Sequence, residues 1–182
     1  MVKINLGCGW RNFGNDWLHI DAGDYDHLDL KHDISKKMPL SEDLVDLIYS
    51  SHLIEYFDRH EIKNILLDWK RVLKPGGILR LAMPDFKAIT NLYIKGSIKI
   101  EQALGPIYGK MKMGKSTIYH KTAYDFESLK SLLEECGYVS IKEYDWRDTD
   151  HSGFDDHSQA YIPHMDKENG VLISLNVECK KK

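Results

Sequence analysis

The chain has 182 residues, which favours a single domain, and its apolar content of 42% is enough for a packed core. The net charge is −3 and no basic stripe stands out, so a nucleic-acid partner is not expected. The three cysteines are far apart and form no C-x-x-C pair, so no zinc site or disulfide framework is predicted, and a reducing, cytoplasmic location is expected. No run of residues is long and apolar enough to predict a membrane span.

The hydrophobic pattern predicts strands that alternate with helices. The predicted strands lie at residues 2–6, 17–21, 27–30, 44–49, 78–83, 138–144 and 171–177. Asp58 is the predicted N-cap of a helix that ends at Leu73, and Asp125 is the predicted N-cap of a helix through Glu135. This order predicts an α/β fold with a Rossmann-like, doubly wound sheet. The sheet is expected to be mostly parallel, with an antiparallel pair of closing strands at one edge.

Two segments do not fit this alternation. Residues 96–119 are rich in glycine and lysine, and residues 145–165 are polar and rich in Asp and His. Long irregular stretches in a compact domain are usually functional or disordered. We therefore expect one domain over residues 1–182, in which both segments form the lid or loops of an acceptor site.

The end of the first strand has the features of a ligand-binding turn. In residues 5–9, Asn-Leu-Gly-Cys-Gly, the glycines permit positive φ and close approach of a ligand. A dinucleotide fingerprint would require glycine where Asn12 stands, so the turn is not built for a pyrophosphate. Asp21 ends the second strand and offers a carboxylate to ribose hydroxyls. Asp33 can accept from an exocyclic amine while Ile34 covers a purine face, although either aspartate alone could simply cap a turn.

Several motifs together resemble class I S-adenosylmethionine-dependent methyltransferases over residues 2–85. They are Asn-Leu-Gly-Cys-Gly (5–9), Asp21, Asp33, Met38-Pro39-Leu40, Val45-Asp46-Leu47-Ile48, His52-Leu53-Ile54-Glu55 and Leu73-Lys74-Pro75-Gly76-Gly77. The resemblance is closest to small predicted methyltransferases that are often associated with modification of surface glycans. It implies S-adenosylmethionine as the cofactor, with Gly7 and Gly9 facing its methionine part. Asp21 would then face the ribose and Asp33 the adenine.

The resemblance also defines the predicted cofactor site and its departures from the family pattern. The predicted cofactor-binding residues are Asn5, Gly7, Cys8, Gly9, Asp21, Ala22, Asp33, Ile34 and Ser51. Asn5 replaces the usual acid of the glycine motif, and Arg11 stands where many members have a third glycine. The connection from Gly9 to Trp17 is too short for a full first helix.

Histidines are the candidate catalytic residues, because an alcohol acceptor must lose a proton and imidazole suits this near neutral pH. His52 follows the fourth strand, and Glu55, three residues on, is placed to orient its ring. Alternatively, His52 starts a helix and Glu55 interacts with the helix dipole. His120 is the second candidate base. His151 and His157 lie in an Asp-rich loop that meets no fixed metal spacing, so a solvated or substrate-binding loop is favoured over a metal site.

The function predicted from the sequence is methyl transfer from S-adenosylmethionine to a small polar acceptor, a hydroxyl of a sugar or glycan precursor. An alternative is a catalytically silent, cofactor-binding or scaffold protein of the same fold, because the glycine motif is altered. A nicotinamide-dependent oxidoreductase is disfavoured by Asn12 and by the lack of room for a substrate domain. The sequence does not indicate an oligomeric state.

Overall fold

A seven-stranded sheet forms the centre of the structure, a computed structural model that describes residues 1–114 and 116–182. The strands in the described residues are β1 (Lys3–Leu6), β2 (Leu18–Asp21), β3 (Leu30–Lys31), β4 (Val45–Ser51), β5 (Leu73–Pro84), β6 (Met111–Met113), β7 (Ser116–Ile118), β8 (Tyr138–Glu143), β9 (Tyr161–Ile162), β10 (Val171–Leu172) and β11 (Ser174–Lys181). The helices are α1 (Ile62–Val72), α2 (Phe86–Ile94), α3 (Ile100–Tyr108) and α4 (Phe126–Glu135). Lys115, within the predicted 96–119 segment, lies outside the described residues.

The strand order of the central sheet is β3-β2-β1-β4-β5-β11-β8. The first five strands in this order are parallel, and β11 runs antiparallel to both β5 and β8. The predicted α/β fold, with a mostly parallel sheet and an antiparallel edge, is therefore confirmed. The order reverses direction between β1 and β4, and ligands of such sheets bind in the crevice beyond the carboxyl ends of the strands at this point.

One face of the sheet packs against α1 and α4. The apolar residues of α1 recur at helical spacing, and those buried are Ile62, Ile65, Leu66, Trp69 and Val72. The predicted cap of α4 is confirmed, since the Asp125 carboxylate accepts from Ser128 N at 2.9 Å. The start of α1 differs from the prediction: Asp58 caps the preceding turn by accepting from His60 N, and the helix begins four residues later.

The opposite face is covered without a helix after β1. Phe13, in the short connection between β1 and β2, stacks on Phe154 with 4.6 Å between ring centroids and on Tyr49 of β4 at 5.8 Å. His151 is buried in the same cluster, 4.0 Å from Tyr49 between ring centroids. The segment 145–160 therefore fills the place that a first helix occupies in a doubly wound sheet.

A small helical unit lies beside the sheet and includes the predicted 96–119 segment. Helix α2 was not predicted, although Asp85 is a clear N-cap that accepts from Lys87 N and Ala88 N. Helices α2 and α3 bury a separate apolar cluster, and the β6–β7 hairpin follows them. No helix in the described part of the chain is long and apolar enough to cross a membrane.

Phe13 tests whether segment 145–160 is a structural cover. Phe13→Ala should lower the free energy of unfolding by about 3 to 5 kcal/mol, because the residue is buried and the aromatic cluster cannot refill its volume. The matched control is Trp10→Ala, whose ring is 67% exposed and which should change stability by no more than about 0.5 kcal/mol. Urea denaturation of both variants measures the difference. Equal losses would contradict the proposed cover.

Candidate active site

A cleft of about 1540 Å³ opens beyond the carboxyl ends of β1, β2 and β4, where the strand order reverses. This is more room than a single small ligand needs. The predicted residues that border it are Gly7, Cys8, Gly9, Asp21, Ala22, Asp33, Ile34, Ser51, His52 and His120. The structure thus gathers most of the predicted site around one cleft.

Asn5 is the predicted cofactor residue that does not border this cleft. It pairs in register with His19 of β2 and Tyr49 of β4, so its side chain shares their face of the sheet. That face is the one covered by segment 145–160, and Asn5 is buried there. The departure from the family pattern at this position therefore lies on the covered face of the sheet, outside the lining of the cleft.

The glycine turn after β1 is shaped for a close ligand. Gly7 and Gly9 have φ of 68° and 56°, a region that side chains other than glycine rarely adopt. A Cβ atom at Gly7 would lie 2.7 Å from Leu53 Cδ2, so a larger residue there would displace the Leu53 side chain. Gly9 N donates to Asp21 Oδ2 at 2.9 Å, and Gly23 N donates to Asp21 Oδ1 at 2.7 Å. Each carboxylate oxygen of Asp21 can accept a further hydrogen bond, which suits two ribose hydroxyls.

Asp33 and Ile34 border the cleft at the end of β3. Asp33 Oδ1 accepts from Ser35 N at 3.0 Å and from Ser35 Oγ at 2.6 Å, and these bonds hold the pKa of Asp33 below its usual range. The carboxylate is thus ionised, with Oδ2 unengaged by any described residue. Ile34 is buried in the main core and presents only an edge to the cleft.

The candidate catalytic residues form one cluster around the carboxyl group of Glu55. His52 Nδ1 lies 3.5 Å from Glu55 Oε1, and His120 Nε2 lies 3.8 Å from the same oxygen. Glu55 is 1% exposed, in a short 3-10 turn over Ile54–Tyr56. Glu55 therefore lies beside His52, and His120 joins the pair from a segment 65 residues further along the chain.

Burial sets the protonation of this cluster. It raises the pKa of Glu55 from 4.5 to about 8, and no described residue donates a hydrogen bond to either carboxyl oxygen. Burial, followed by the neighbouring His157 and His120, lowers the pKa of His52 well below its ordinary value. His120 Nδ1 lies 3.2 Å from Ile107 O, which makes Nδ1 the donor and leaves Nε2 free to accept. Near neutral pH the cluster is uncharged.

His157 also belongs to the cluster, although the sequence placed it only in a polar loop. Its ring centroid is 4.8 Å from that of His52, and both residues border the cleft. The guanidinium of Arg11 links the turn after β1 to the loop that carries His157, because Arg11 Nε donates to Asp155 O at 3.0 Å. In the part of the chain that the structure describes, no group of three or more Asp, Glu, His or Cys side chains is arranged to hold a metal ion.

Comparisons with known proteins bear on the fold of the chain. A family model described as a methyltransferase domain matches residues 14–81. No curated protein matches the chain significantly. Among solved structures, an S-adenosylmethionine-dependent methyltransferase from Archaeoglobus fulgidus is 16% identical, with a TM-score of 0.59 over 98% of this chain and 85% of that one. One from Mesorhizobium loti is 19% identical, with a TM-score of 0.57 over 98% of this chain and 90% of that one.

A third similar structure was solved with ligands. It is the 1,6-didemethyltoxoflavin-N1-methyltransferase of Burkholderia thailandensis, bound to 1,6-didemethyltoxoflavin and S-adenosylhomocysteine. It is 10% identical, with a TM-score of 0.57 over 100% of this chain and 71% of that one. These findings bear out the resemblance predicted from the sequence: residues 14–81 match a methyltransferase domain, and the chain has the fold of S-adenosylmethionine-dependent methyltransferases. The family match supports S-adenosylmethionine as the cofactor.

Substitution of Asp21 tests whether this residue binds the ribose of the cofactor. If Asp21 accepts both ribose hydroxyls, Asp21→Ala should weaken S-adenosylmethionine binding by about 2 to 4 kcal/mol, or roughly 30- to 1000-fold in Kd. Isothermal titration calorimetry measures this, and Asp26→Ala, an exposed aspartate on the same loop, is the matched control. Asp21→Asn separates a fold effect from a ligand effect, because an amide oxygen can still accept from one of the two glycine N–H groups. An unchanged Kd in Asp21→Ala would place the ribose elsewhere.

Substitution of Glu55 tests whether the cluster is uncharged, because the charge of Glu55 changes the free energy of unfolding. Its pKa is raised from 4.5 to about 8 on folding, so the folded chain keeps a proton that the unfolded chain has lost. The stabilising contribution of Glu55 to the free energy of unfolding is therefore fully present below about pH 4.5. It is lost as the pH rises to about 8. Glu55→Gln should gain stability relative to the wild type across this window.

Urea denaturation near both ends of the window measures the gain. Glu42→Gln, at an exposed glutamate, is the control and should follow the wild type at every pH. A difference between Glu55→Gln and the wild type that does not change with pH would show that Glu55 is ionised throughout.

Proposed function

We propose that the protein transfers the methyl group of S-adenosylmethionine to a hydroxyl of a small polar acceptor, a sugar or glycan precursor. The observation that carries this proposal is the position of His52, at the carboxyl end of β4 and against the buried carboxyl of Glu55. His52 has φ of 51°, an unusual conformation for a residue with a side chain, and such conformations often occur at functional sites. A base is required for an alcohol acceptor and suits this place in the cleft.

The cofactor would lie along the turn after β1. Gly7 and Gly9 leave room for its methionine part, while Asp21 accepts from the ribose and Asp33 Oδ2 from the adenine amine. When bound, it supplies a methyl group on a sulfonium, which is open to in-line attack. The chain's own task is then to hold the attacking oxygen in line and to remove its proton.

His52 is the proposed base. Its Nε2 atom is buried, and no described residue donates to it or accepts from it. Buried polar atoms are normally hydrogen-bonded, so an acceptor hydroxyl held between His52 and His157 would fill this gap. The ring is neutral and free to take the proton. Glu55 lies behind Nδ1, where the carbonyl oxygen of its neutral carboxyl can accept from Nδ1–H and so leave the lone pair on Nε2.

The remaining cleft walls suit a polar acceptor. Gln102 and Lys110 border the cleft from α3 and the chain that follows it, and Tyr161 borders it from the opposite wall. Amide, ammonium and phenol groups together match the donors and acceptors of a hydroxyl-rich molecule. We assign segments 96–119 and 145–165 as the lid and loops of this acceptor site, since both contribute walls to the cleft.

Substitution of His52 tests the proposal. His52→Ala should lower turnover by roughly 100- to 10,000-fold, the usual contribution of a positioned base, while the Kd for S-adenosylmethionine stays close to that of the wild type. Formation of S-adenosylhomocysteine with monosaccharides and nucleotide-activated sugars is the readout. His60→Ala, at an exposed histidine, is the matched control.

Two other outcomes contradict this assignment. If His120→Ala abolishes turnover while His52→Ala retains it, then His120 is the base. If the wild type binds S-adenosylmethionine but methylates none of these acceptors, the catalytically silent alternative gains support.

A further inference from the structure

Residues 86–121 form an unusually basic unit in an otherwise acidic chain. This stretch contains seven lysines and a single acidic residue, Glu101. The rest of the chain carries the remaining 18 of the 25 basic residues and 27 of the 28 acidic residues. The lysines are too widely spaced to form a visible run in the sequence. Six of them belong to the described residues: Lys87 lies on α2, Lys95 and Lys99 lie between α2 and α3, and Lys110, Lys112 and Lys121 lie at or beside the β6–β7 hairpin.

The same unit exposes apolar side chains that its own packing does not use. Ile100, Leu104 and Tyr108 recur every four residues on α3 and are 50%, 44% and 57% exposed. Ala103 and Ile107, on the other side of α3, are the ones that pack in the second core. Ile94, at the end of α2, is 78% exposed. Apolar side chains that are grouped and exposed in this way usually mark a binding surface.

Lysines flank this apolar stripe at both ends. Lys95 and Lys99 lie in the connection between α2 and α3, next to Ile94 and Ile100, and Lys110 follows Tyr108. All three are exposed, and none forms an ion pair with a carboxylate of the described residues. The name lysine–apolar surface is used below for Ile94, Lys95, Lys99, Ile100, Leu104, Tyr108 and Lys110.

We propose that the lysine–apolar surface docks on an anionic membrane surface. Lysines attract anionic headgroups, while isoleucine, leucine and tyrosine side chains insert at the boundary between headgroups and acyl chains. The aliphatic side chains have no comparable partner on a nucleic-acid backbone, which favours a membrane over RNA or DNA. A symmetric contact with a second copy would place lysines against lysines, which is unfavourable.

The charge of the rest of the molecule reinforces one orientation. Its excess of acidic residues is repelled by an anionic membrane, so the lysine–apolar surface is the side that approaches. Lys110 also borders the cleft, as does Met111 beside it. A docked molecule therefore holds one cleft wall near the lipid headgroups. If the proposed function holds, this arrangement suits an acceptor that is anchored to a lipid.

Vesicle flotation tests docking without any need for turnover. The purified chain should float with phosphatidylcholine vesicles that contain phosphatidylserine, should bind far less to phosphatidylcholine alone, and should be released by high salt. Removal of two lysines, Lys95→Gln with Lys99→Gln, should weaken partitioning roughly 30-fold, at about 1 kcal/mol for each charge. Ile94→Ser with Ile100→Ser should also weaken it, by at least about tenfold, because both side chains lose their burial in the lipid.

Matched controls lie on other surfaces of the chain. Lys36→Gln with Lys37→Gln removes two exposed lysines outside the basic unit, and Leu67→Ser removes an exposed apolar residue of α1. Both should float like the wild type. All variants alter exposed residues, so equal melting temperatures exclude unfolding as the cause of a loss.

Three results would overturn the proposal. One is equal flotation with and without phosphatidylserine. Another is binding to an RNA duplex that depends on the lysines while the isoleucine variant binds RNA and vesicles as well as the wild type does. The third is a stable dimer in solution that the Ile94→Ser, Ile100→Ser variant converts to a monomer, with no vesicle binding in either form. None of these results bears on methyl transfer, which the His52 variants test separately.

Discussion

The connection between β1 and β2 is too short to hold a helix, and much of the structure depends on this constraint. The face of the sheet beside it still needs an apolar cover, because β4 places Leu47 and Tyr49 there. The chain supplies that cover from far along the sequence, through Phe154 and the buried His151. The same segment continues to His157 and so delivers that ring to His52. The same packed segment therefore covers this face of the sheet and completes the candidate site.

The charge of the candidate site depends on its burial. Glu55 is covered on one side by His120 and on another by His52, and it is the loss of water that keeps its carboxyl protonated. A charged pair at this depth would have to offset the desolvation of both groups. An uncharged resting cluster avoids that cost, and under the proposed function it would gain charge only when a proton arrives from an acceptor. Such an arrangement acts on the transition state more than on the bound ground state.

The sequence predicted what depends on local spacing. The strand ends at Gly7, Asp21 and Asp33 follow from hydrophobic periodicity, and the three-residue spacing of His52 and Glu55 limits how far apart they can lie. The sequence could not show that His120 approaches the carboxyl of Glu55 or that His157 approaches the ring of His52, because no local pattern encodes contacts over such separations. Asn5 lies outside the lining of the cleft for a different reason. Strand alternation sends its side chain to the opposite face from Ile4 and Leu6, and the family motif alone does not reveal this. Helix α2 escaped prediction although Asp85 is an N-cap signal that could have been used.

The helical unit at residues 86–121 shows how a fold can create a property that composition hides. A net charge of −3 argues against an anionic partner when it is taken as an average over the whole chain. Residues 86–121 carry seven lysines and one acidic residue, whereas the rest of the chain carries 27 acidic and 18 basic residues. The field of such a molecule has a direction, and direction decides which surface meets a charged partner first. Because Met111 and Lys110 belong both to this unit and to a wall of the cleft, any event that orders the unit also acts on access to the site.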